Sequence, residues 1–600
     1  MSAQAKQSRM VFGEIASTGV ARGTAVVCGC AAGGRAPRRQ IDAEEVFEEI
    51  RRLDAAIAIV ERDLLKVQES VQREIGKQEA GIFEAQILLL HDTAFLEEVR
   101  TRCTLDHLNV EAAVDEAVEK LTSVFARLED PYFRERAADL RDIGKRLLDA
   151  LAQGREPGIP NFPDDAILVT TELLPSVLAQ LKGLKVRGLI AEQGGQTAHA
   201  TILARAQSLP FLVQVSGATE KISSGDHLIV DGLAGRAFIN PSPATRHEYD
   251  RLEADLQAHQ TALKDLIDLP AESRDDVSIK LCANIGKVAD ATAAATLNAD
   301  GVGLYRTEFI FLAQDHFPSE EEQYRMYLAA AERLKPREVV IRVLDTGSDK
   351  LLPYFPLPRE ANPSLGCRGL RLLLAHPHIL RAQLRAILRL SATHSVSILL
   401  PMVGGVEDVR AAKEILESVK TDLAAEKQRF CSRISMGAMI ETPAAAIMTE
   451  RLAKEVDFFS IGTNDLVQYL LTTDRSSGNV SSYYEPLHPA VLTMLAAVAL
   501  AAKAAGKSFS VCGEMAGNPA YTALLLGLGF RNFSVNPGDL LGVKNAIRST
   551  HMRDAEQLAA RLLHLSTVRE IKDRLHEANA RSHPAEDPKN REEQTHGIAY

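Results

Sequence analysis

ISMGAMIETPAAAIMTERLAKEVDFFSIGTND, residues 434–465, decides the fold. Two short, mostly apolar runs, ISMGAMIET and DFFSIGTND, flank a helical stretch, and units of the same kind stand on both sides. Upstream lie SIKLCANIG, GVGLYRTE, VVIRVLDTG and SILLPMV; downstream lie SFSVCGE and NFSVNP. Eight strand–helix units over roughly 300 residues predict a (β/α)8 barrel of the TIM type.

In such barrels the chemistry sits at the C-terminal ends of the strands, and polar residues gather at those ends here. The second run ends in Arg306-Thr307-Glu308; the third carries Arg342 and leads to Asp345, with Lys350 shortly after. ANPSLGCRGLR adds Arg368 and Arg371, the fifth run ends in Glu441, and the sixth ends in Asn464-Asp465 with Arg475 downstream. The seventh ends in Cys512-Gly513-Glu514. Arginines converging on one pocket repel each other unless an anion sits among them, and their planar forks suit phosphate or carboxylate held bidentately. The expected ligand is small and polyanionic. Glu441 and Asp465, on adjacent strand ends, offer the hard oxygens that Mg2+ takes beside a substrate phosphate. Any one of these pairs alone reads as an ordinary salt bridge; the whole set landing at strand ends points to a site. Cys512 is open to two readings, a thiol among cations that donates a proton or attacks, and an inert buried cysteine.

With 600 residues, the chain is too long for one core and implies several domains. Hydrophobic residues at 46% and charged residues at 25% are ordinary for a globular protein, and no stretch has the roughly 20 uncharged apolar residues of a membrane span. MSAQAKQSRMVFGEIASTG lacks the apolar run of a secretory signal, which reads as cytoplasmic. Seven cysteines without a C-x-x-C pair argue against a disulfide framework and a structural zinc site; Cys28 and Cys30 are expected to be small buried strand residues. A formal charge of −11 disfavours non-specific nucleic-acid binding.

GEIASTGVARGTAVV (13–27) reads as strands, whereas Asp42 to Leu151 is heptad-like text rich in Glu, Arg, Leu and Ala and predicts long antiparallel helical hairpins. DAILVTTE, GLIAEQGG and DHLIVDG then resume a strand pattern, so the helical block looks inserted into an α/β domain. Residues 242–269 read as a connecting helix with hinges at its proline-flanked ends, and the polar C-terminal tail as disordered. The α/β domain comprises residues 1–35 and 150–241, the helical subdomain 36–149, the linker 242–270, the barrel 271–578 and the tail 579–600.

One further stretch is GGQTAHATILAR, residues 194–205. Gly194-Gly195 ends a strand, Thr197 reads as an N-cap, and His199 falls in the first turn of a helix, where amides and macrodipole favour an anion. A phosphoryl group on that imidazole would be stabilised. By spacing alone a structural histidine fits nearly as well, and His227, in a strand, reads as packed.

GGQTAHATILAR resembles the phosphohistidine signature of the phosphoenolpyruvate-using phosphotransferases, and GLYRTEFIFL, RVLDTGSDK, NPSLGCRGLR, GAMIETPAA, DFFSIGTNDLVQYLLTTDR and VCGEMAGNP resemble their substrate domain. Order and spacing resemble most closely the enzyme I family of the bacterial sugar phosphotransferase system, from about Phe12 to about residue 575. The resemblance implies a swivelling phosphohistidine α/β domain with an inserted helical subdomain that docks the carrier protein HPr, followed by the barrel, which forms a homodimer. It implies His199 as the phosphorylated nucleophile, Glu441 and Asp465 as Mg2+ ligands, and Arg306, Arg342 and Asn464 on the phosphate of phosphoenolpyruvate, with Lys350 close by. Arg475 is then placed on the substrate carboxylate, with Arg368 assisting; Cys512 protonates the enolate to release pyruvate, and Glu308 supports from behind. Because one histidine must serve the barrel and the carrier in turn, the α/β domain is expected to swing about the linker.

Gln196, Thr197 and Ala198 stand before the histidine where a basic residue and Thr-Ser are usual, so Gln196 and Ala198 depart from the family pattern; Leu174 and Leu178 stand where threonine is common. Those changes leave room for a second reading, an altered or regulatory protein that binds phosphoenolpyruvate or a carrier. An ATP-using dikinase would need a nucleotide-binding domain and a glycine-rich phosphate loop, which the helical N-terminal block does not supply.

Overall fold

The computed structural model describes residues 8–28, 38–74, 77–126, 131–152, 163–173, 186–194, 201, 204, 209–312, 314, 316–347, 352, 354–355, 357–358, 360–475 and 480–582. The chain divides into two compact units, Met1–Gln257 and Ala258–Tyr600.

The first unit opens with β1 (Arg9–Phe12), β2 (Glu14–Ser17) and β3 (Val20–Cys28), runs through α1 (Val46–Glu74), α2 (Lys77–Leu90), α3 (Thr93–Thr104), α4 (Val110–Ala126) and α5 (Pro131–Leu151), and returns to strands. These are β4 (Ala166–Thr170), β5 (Val186–Ala191), β6 (Phe211–Val213), β7 (His227–Asp231) and β8 (Arg236–Ile239). All join one sheet in the order β1-β8-β7-β3-β4-β5-β6-β2. β3 and β4 are parallel neighbours, from Thr24 opposite Ala166 to Cys28 opposite Thr170, so α1–α5 form an excursion between adjacent strands. Strand alternation divides the apolar side chains between two faces. Ala166 and Leu168 of β4 join the core shared with the helices, whereas Ile167 and Val169 join a second cluster with Val11, Ala25 and Leu212.

The helices close because α1 presents Leu53, Ala56, Ile57, Val60 and Leu64 at helical spacing, all buried. The buried Glu49 carboxylate fixes the entry to α4: it accepts the Val110 amide at 2.8 Å and pairs with Arg52, which reaches across to Glu111. His227, expected to be packed, is exposed at the first position of β7, while the four residues after it are buried.

The connecting helix is Pro243–Lys264. Tyr249 is buried and its hydroxyl donates to Asp231 of β7, which also holds Arg236, while Arg22 of β3 pairs with Asp250 and Glu253. Within the second unit, Lys544 Nζ donates to the carbonyls of Leu266, Ile267 and Leu269 at 3.2, 2.9 and 3.0 Å, and Arg548 to that of Pro270 at 2.8 Å. The proline-flanked ends, where hinges were expected, are therefore each fastened to their own unit.

Each of the eight apolar runs contains a strand: β9 (Lys280–Ile285), β10 (Val302–Arg306), β11 (Val339–Arg342), β12 (Val396–Leu400), β13 (Ser435–Ile440), β14 (Phe458–Ile461), β15 (Ser508–Val511) and β16 (Asn532–Val535). They form a closed barrel, every neighbouring pair parallel. Alternate residues again sort the core. Val339, Ile341, Ile398, Leu400, Ala438 and Ile440 pack outward among the helices, while Leu304, Val340, Leu399 and Met439 fill the interior with Cys512. The last helix, Val568–Ser582, runs past residue 578, where the barrel domain was expected to end; Asn579 holds it by donating to the Ala520 carbonyl at 3.0 Å. Among the described residues no helix is long and apolar enough to cross a membrane.

Leu168 is fully buried between sheet and helices, so Leu168→Ala is expected to cost about 2–5 kcal/mol. Differential scanning calorimetry should show the first unit's transition lowered and the barrel's unmoved.

Candidate active site

The site is built from the C-terminal ends of the barrel strands. β10 and β11 pair in a register that sets Arg306 directly beside Arg342. Arg342 is 6% exposed, and its charge is balanced from two sides: Nη2 donates to Glu308 Oε1 at 2.6 Å, and Nη1 lies 3.3 Å from Asp345 Oδ2. Burial alone would lower this guanidinium's pKa, but the charges of Glu308, Asp345, Glu441 and Asp465 outweigh it and hold the group above its ordinary value. Glu308 Oε1 also accepts the Asp345 amide at 3.1 Å, which locks strand end and loop together.

Arg368 is 3% exposed and turned onto the same carboxylate, Nη2 and Nε reaching Asp345 at 2.8 and 3.3 Å. Its Nη1 lies 3.3 Å from the Tyr469 hydroxyl and 3.7 Å from Asp465. Gly369 follows with φ +56°, a left-handed backbone that turns the chain into the next helix, and a Cβ there would meet Asp345 Oδ1 at 3.0 Å. Arg371 does not join the cluster. It is exposed in the first turn of Leu370–Ala375, donates to the Leu365 carbonyl at 3.3 Å, and lines a cavity of about 550 Å3 with Asn362, Thr442 and Gln468.

Arg306 is different. Among the described residues no carboxylate lies within ion-pair distance of it, although every other arginine of the mouth has one. Burial first, and then the charge of Arg342, lower its pKa, outweighing the opposing charge of Glu308, which is the condition of a cation set beside a cation.

Glu441 shows the complementary condition. It is 1% exposed; Oε1 accepts the Met402 amide at 2.6 Å, and Oε2 is buried without a hydrogen-bond partner. Desolvation, followed by the charges of Asp465 and Asp345, pushes the carboxyl well above the ordinary range. Gly462 keeps that oxygen clear, since a Cβ there would come within 2.9 Å of it. A hard divalent cation fits this pair, as it relieves the repulsion between Glu441 and Asp465 and uses the orphan oxygen. Among the described residues no three His, Cys, Asp or Glu side chains are gathered as a ready metal cage, so such an ion would complete its shell with substrate and water.

At the rim, Asn464 and Glu514 bond reciprocally, Asn464 Nδ2 to Glu514 Oε1 at 3.0 Å and the Glu514 amide to Asn464 Oδ1 at 2.8 Å. Arg475 lies 3.9 Å from Glu514 and its amide donates to Gln468 at 3.2 Å. Cys512 is 1% exposed and burial pushes its thiol up to about 11, so it is protonated at neutral pH. Sequence reading missed several supports, because their bonds join distant segments. Gln383 Nε2 donates to Thr307 at 3.2 Å while its Oε1 accepts the Leu344 amide at 2.9 Å, and Thr307 donates to the Arg342 carbonyl at 2.9 Å. Tyr469 ties the loop before Arg368 by donating to the Ser364 carbonyl at 2.5 Å. His199 and Lys350 lie outside the described residues, as do Gln196, Thr197, Ala198, Leu174, Leu178 and Cys30.

Three family profiles match the chain: "PEP-utilising enzyme, N-terminal" over residues 13–136, "PEP-utilising enzyme, mobile domain" over 162–235, and "PEP-utilising enzyme, PEP-binding domain" over 260–552. Among similar proteins, a phosphoenolpyruvate-protein phosphotransferase of Haemophilus influenzae is 37% identical over 94% of this chain and 98% of its own length. Proteins of the same name from Bacillus subtilis and Staphylococcus carnosus are 38% and 36% identical, covering 87% and 90% of this chain and 92% and 95% of theirs.

Gly462→Ala is expected to weaken Mn2+ binding about ten- to hundredfold, read by electron paramagnetic resonance, with little change in thermal unfolding. Gly538→Ala, where an added Cβ meets nothing within 4 Å, should leave it unchanged.

Proposed function

Because the chain belongs to the phosphoenolpyruvate-protein phosphotransferase family, we propose that the barrel mouth binds phosphoenolpyruvate and hands its phosphoryl group to His199, which passes it to a histidine of the carrier HPr. The reaction is the phosphoenolpyruvate-dependent first step of the sugar phosphotransferase system. The observation that carries this reading is the juxtaposition of Arg306, a guanidinium with no carboxylate at ion-pair distance among the described residues, with the firmly held Arg342, in the mouth that also holds the orphan oxygen of Glu441. A guanidinium without an ion-paired carboxylate among the described residues, beside a buried carboxylate oxygen without a hydrogen-bond partner, is what a magnesium-bound phosphate would complete.

Arg306, Arg342 and Asn464 take the phosphate, with Lys350 beside them, and Arg475 takes the carboxylate. Arg368, turned to Asp345, Asp465 and Tyr469, adds its charge from the side. Glu441 and Asp465 hold Mg2+, which when bound neutralises phosphate charge and so eases departure of the phosphoryl group. Positioning and charge stabilisation supply most of what phosphoryl transfer needs. The Cys512 thiol then gives its proton to C3 of the enolate, and pyruvate leaves.

The α1–α5 block docks the carrier, and the protein works in the cytoplasm as a homodimer through its barrel. His199 serves two destinations in turn, so the first unit swings; the fastened ends of the connecting segment leave its middle to take up the turn. Gln196 and Ala198 remove a cation and a hydroxyl beside the imidazole and alter the rate or the choice of carrier.

With labelled phosphoenolpyruvate and Mg2+, the chain is expected to take up one phosphoryl group at residue 199, release pyruvate and pass the label to HPr, and His199→Ala is expected to do none of these. Equal labelling of the variant would end the proposal; binding without any labelling of the unaltered chain would favour the regulatory reading.

A further inference from the structure

Cys512 points into the barrel, where Ser460 and Ser510 lie in line with it. Ser460 on β14 and Ser510 on β15 are register partners. Cys512 lies two residues beyond Ser510 and so projects to the same face. Ser510 Oγ donates to Ser460 Oγ at 3.2 Å, and Ser460 Oγ donates to Cys512 Sγ at 3.2 Å. The thiol turns its own hydrogen to the Ile461 carbonyl at 3.4 Å. Ser460 is fully buried and Ser510 is partly exposed, so the chain of hydroxyls runs from an accessible group to a buried sulfur. The arrangement is held from the other side. Asn284 Nδ2 donates to the Cys512 carbonyl at 3.0 Å and Asn284 Oδ1 accepts from Ser534 Oγ at 2.7 Å. A serine placed only for packing satisfies its hydroxyl on a carbonyl oxygen; spending it on sulfur, a weak acceptor, is useful when that sulfur becomes a thiolate.

We propose that Ser510 and Ser460 form a relay that returns a proton to Cys512 after it has protonated the enolate. The proposal rests on Cys512 as proton donor in the function given above. Transfer of the phosphoryl group to a neutral imidazole leaves the enolate one proton short of pyruvate, and each turnover draws that proton from solvent. The Cys512 S–H bond breaks and a C–H bond forms at C3, the electron pair staying on sulfur. Ser460 then gives its hydroxyl proton to the thiolate, Ser510 gives its own to Ser460, and water supplies Ser510; the shifts are concerted, so neither serine is left as an alkoxide. The hydroxide released is neutralised by buffer. Both hydroxyls already donate in the required direction. The thiol's raised pKa, a consequence of burial, agrees with this, since a buried thiolate takes back a proton readily.

The test uses the full chain with phosphoenolpyruvate, Mg2+ and HPr, comparing pyruvate release in the first turnover with the steady state for Cys512→Ala, Ser460→Ala, Ser510→Ala and Ser460→Thr. Ser460→Ala and Ser510→Ala are expected to lose at least about tenfold more in steady-state rate than in the first turnover. Their solvent deuterium isotope effect should grow, and Ser460→Thr, which keeps the hydroxyl, should restore the rate. The partly exposed Ser510 supplies a second variant should the buried one fold poorly. If Cys512→Ala releases pyruvate at the unaltered rate, the donor reading fails and the relay with it. If Cys512→Ala is inactive while both serine variants lose equally in the two phases, or lose nothing, the relay alone is overturned and the thiol regains its proton through the open mouth.

Discussion

The Arg342 guanidinium, buried between Glu308 and Asp345, is the contact on which the rest of the site depends. A charge withdrawn from water is tolerated only when it is paired and hydrogen-bonded, and removing one partner leaves the other stranded. The chain Glu308–Arg342–Asp345–Arg368 meets that condition and fixes two cations and their loops in place before any ligand arrives. Preorganised charge of this kind acts on a phosphoryl group in flight without rearranging, which is the largest source of catalysis at polar sites. Among the described residues the network stops short of Arg306 and of Glu441 Oε2, and the proposed positions of ligand and cation rest on those two groups.

The surroundings serve that network. Thr307 and Gln383 tie the ends of β10 and β11 to the helix Pro377–Ser391, and Tyr327 takes a further bond from Gln383 at 3.0 Å. Gly369 allows Arg368 to fold back onto Asp345, and Gly462 lets the chain pass Glu441 without covering its free oxygen. The barrel supplies rigidity through two apolar layers sorted by strand alternation, and at its centre admits the Ser460 and Ser510 hydroxyls next to the Cys512 thiol.

Much of this was legible from residues 434–465 outward, because a barrel writes its strands as short apolar runs and puts polar side chains just after them. Glu441, Asp465, Arg306 and Arg342 follow that rule and are found at the mouth. Arg368 and Arg371 could not be told apart by spacing: the positive φ of Gly369 turns one inward, and the first turn of the next helix carries the other out to solvent. Gln383, Met402, Tyr469 and Ser460 were invisible because their partners lie far away along the chain, Met402 bonding Glu441 and Tyr469 bonding Ser364. His227 misled because strand membership was taken for burial, whereas it stands at the strand's first, exposed position. The helical block, with its uninterrupted heptad-like text between two strands, announced itself as an insertion, and the parallel pairing of β3 with β4 shows the sheet closing across it.

Isothermal titration of phosphoenolpyruvate in the presence of Mg2+, with His199→Ala as background so that no phosphoryl group is transferred, tests the central claim most directly. Arg342→Lys in that background is expected to bind about a hundredfold more weakly, because an ammonium keeps the charge but cannot span Glu308, Asp345 and the phosphate at once. Binding at the unaltered affinity would contradict the account, since the anion would then be held by something other than the guanidinium array at the barrel mouth.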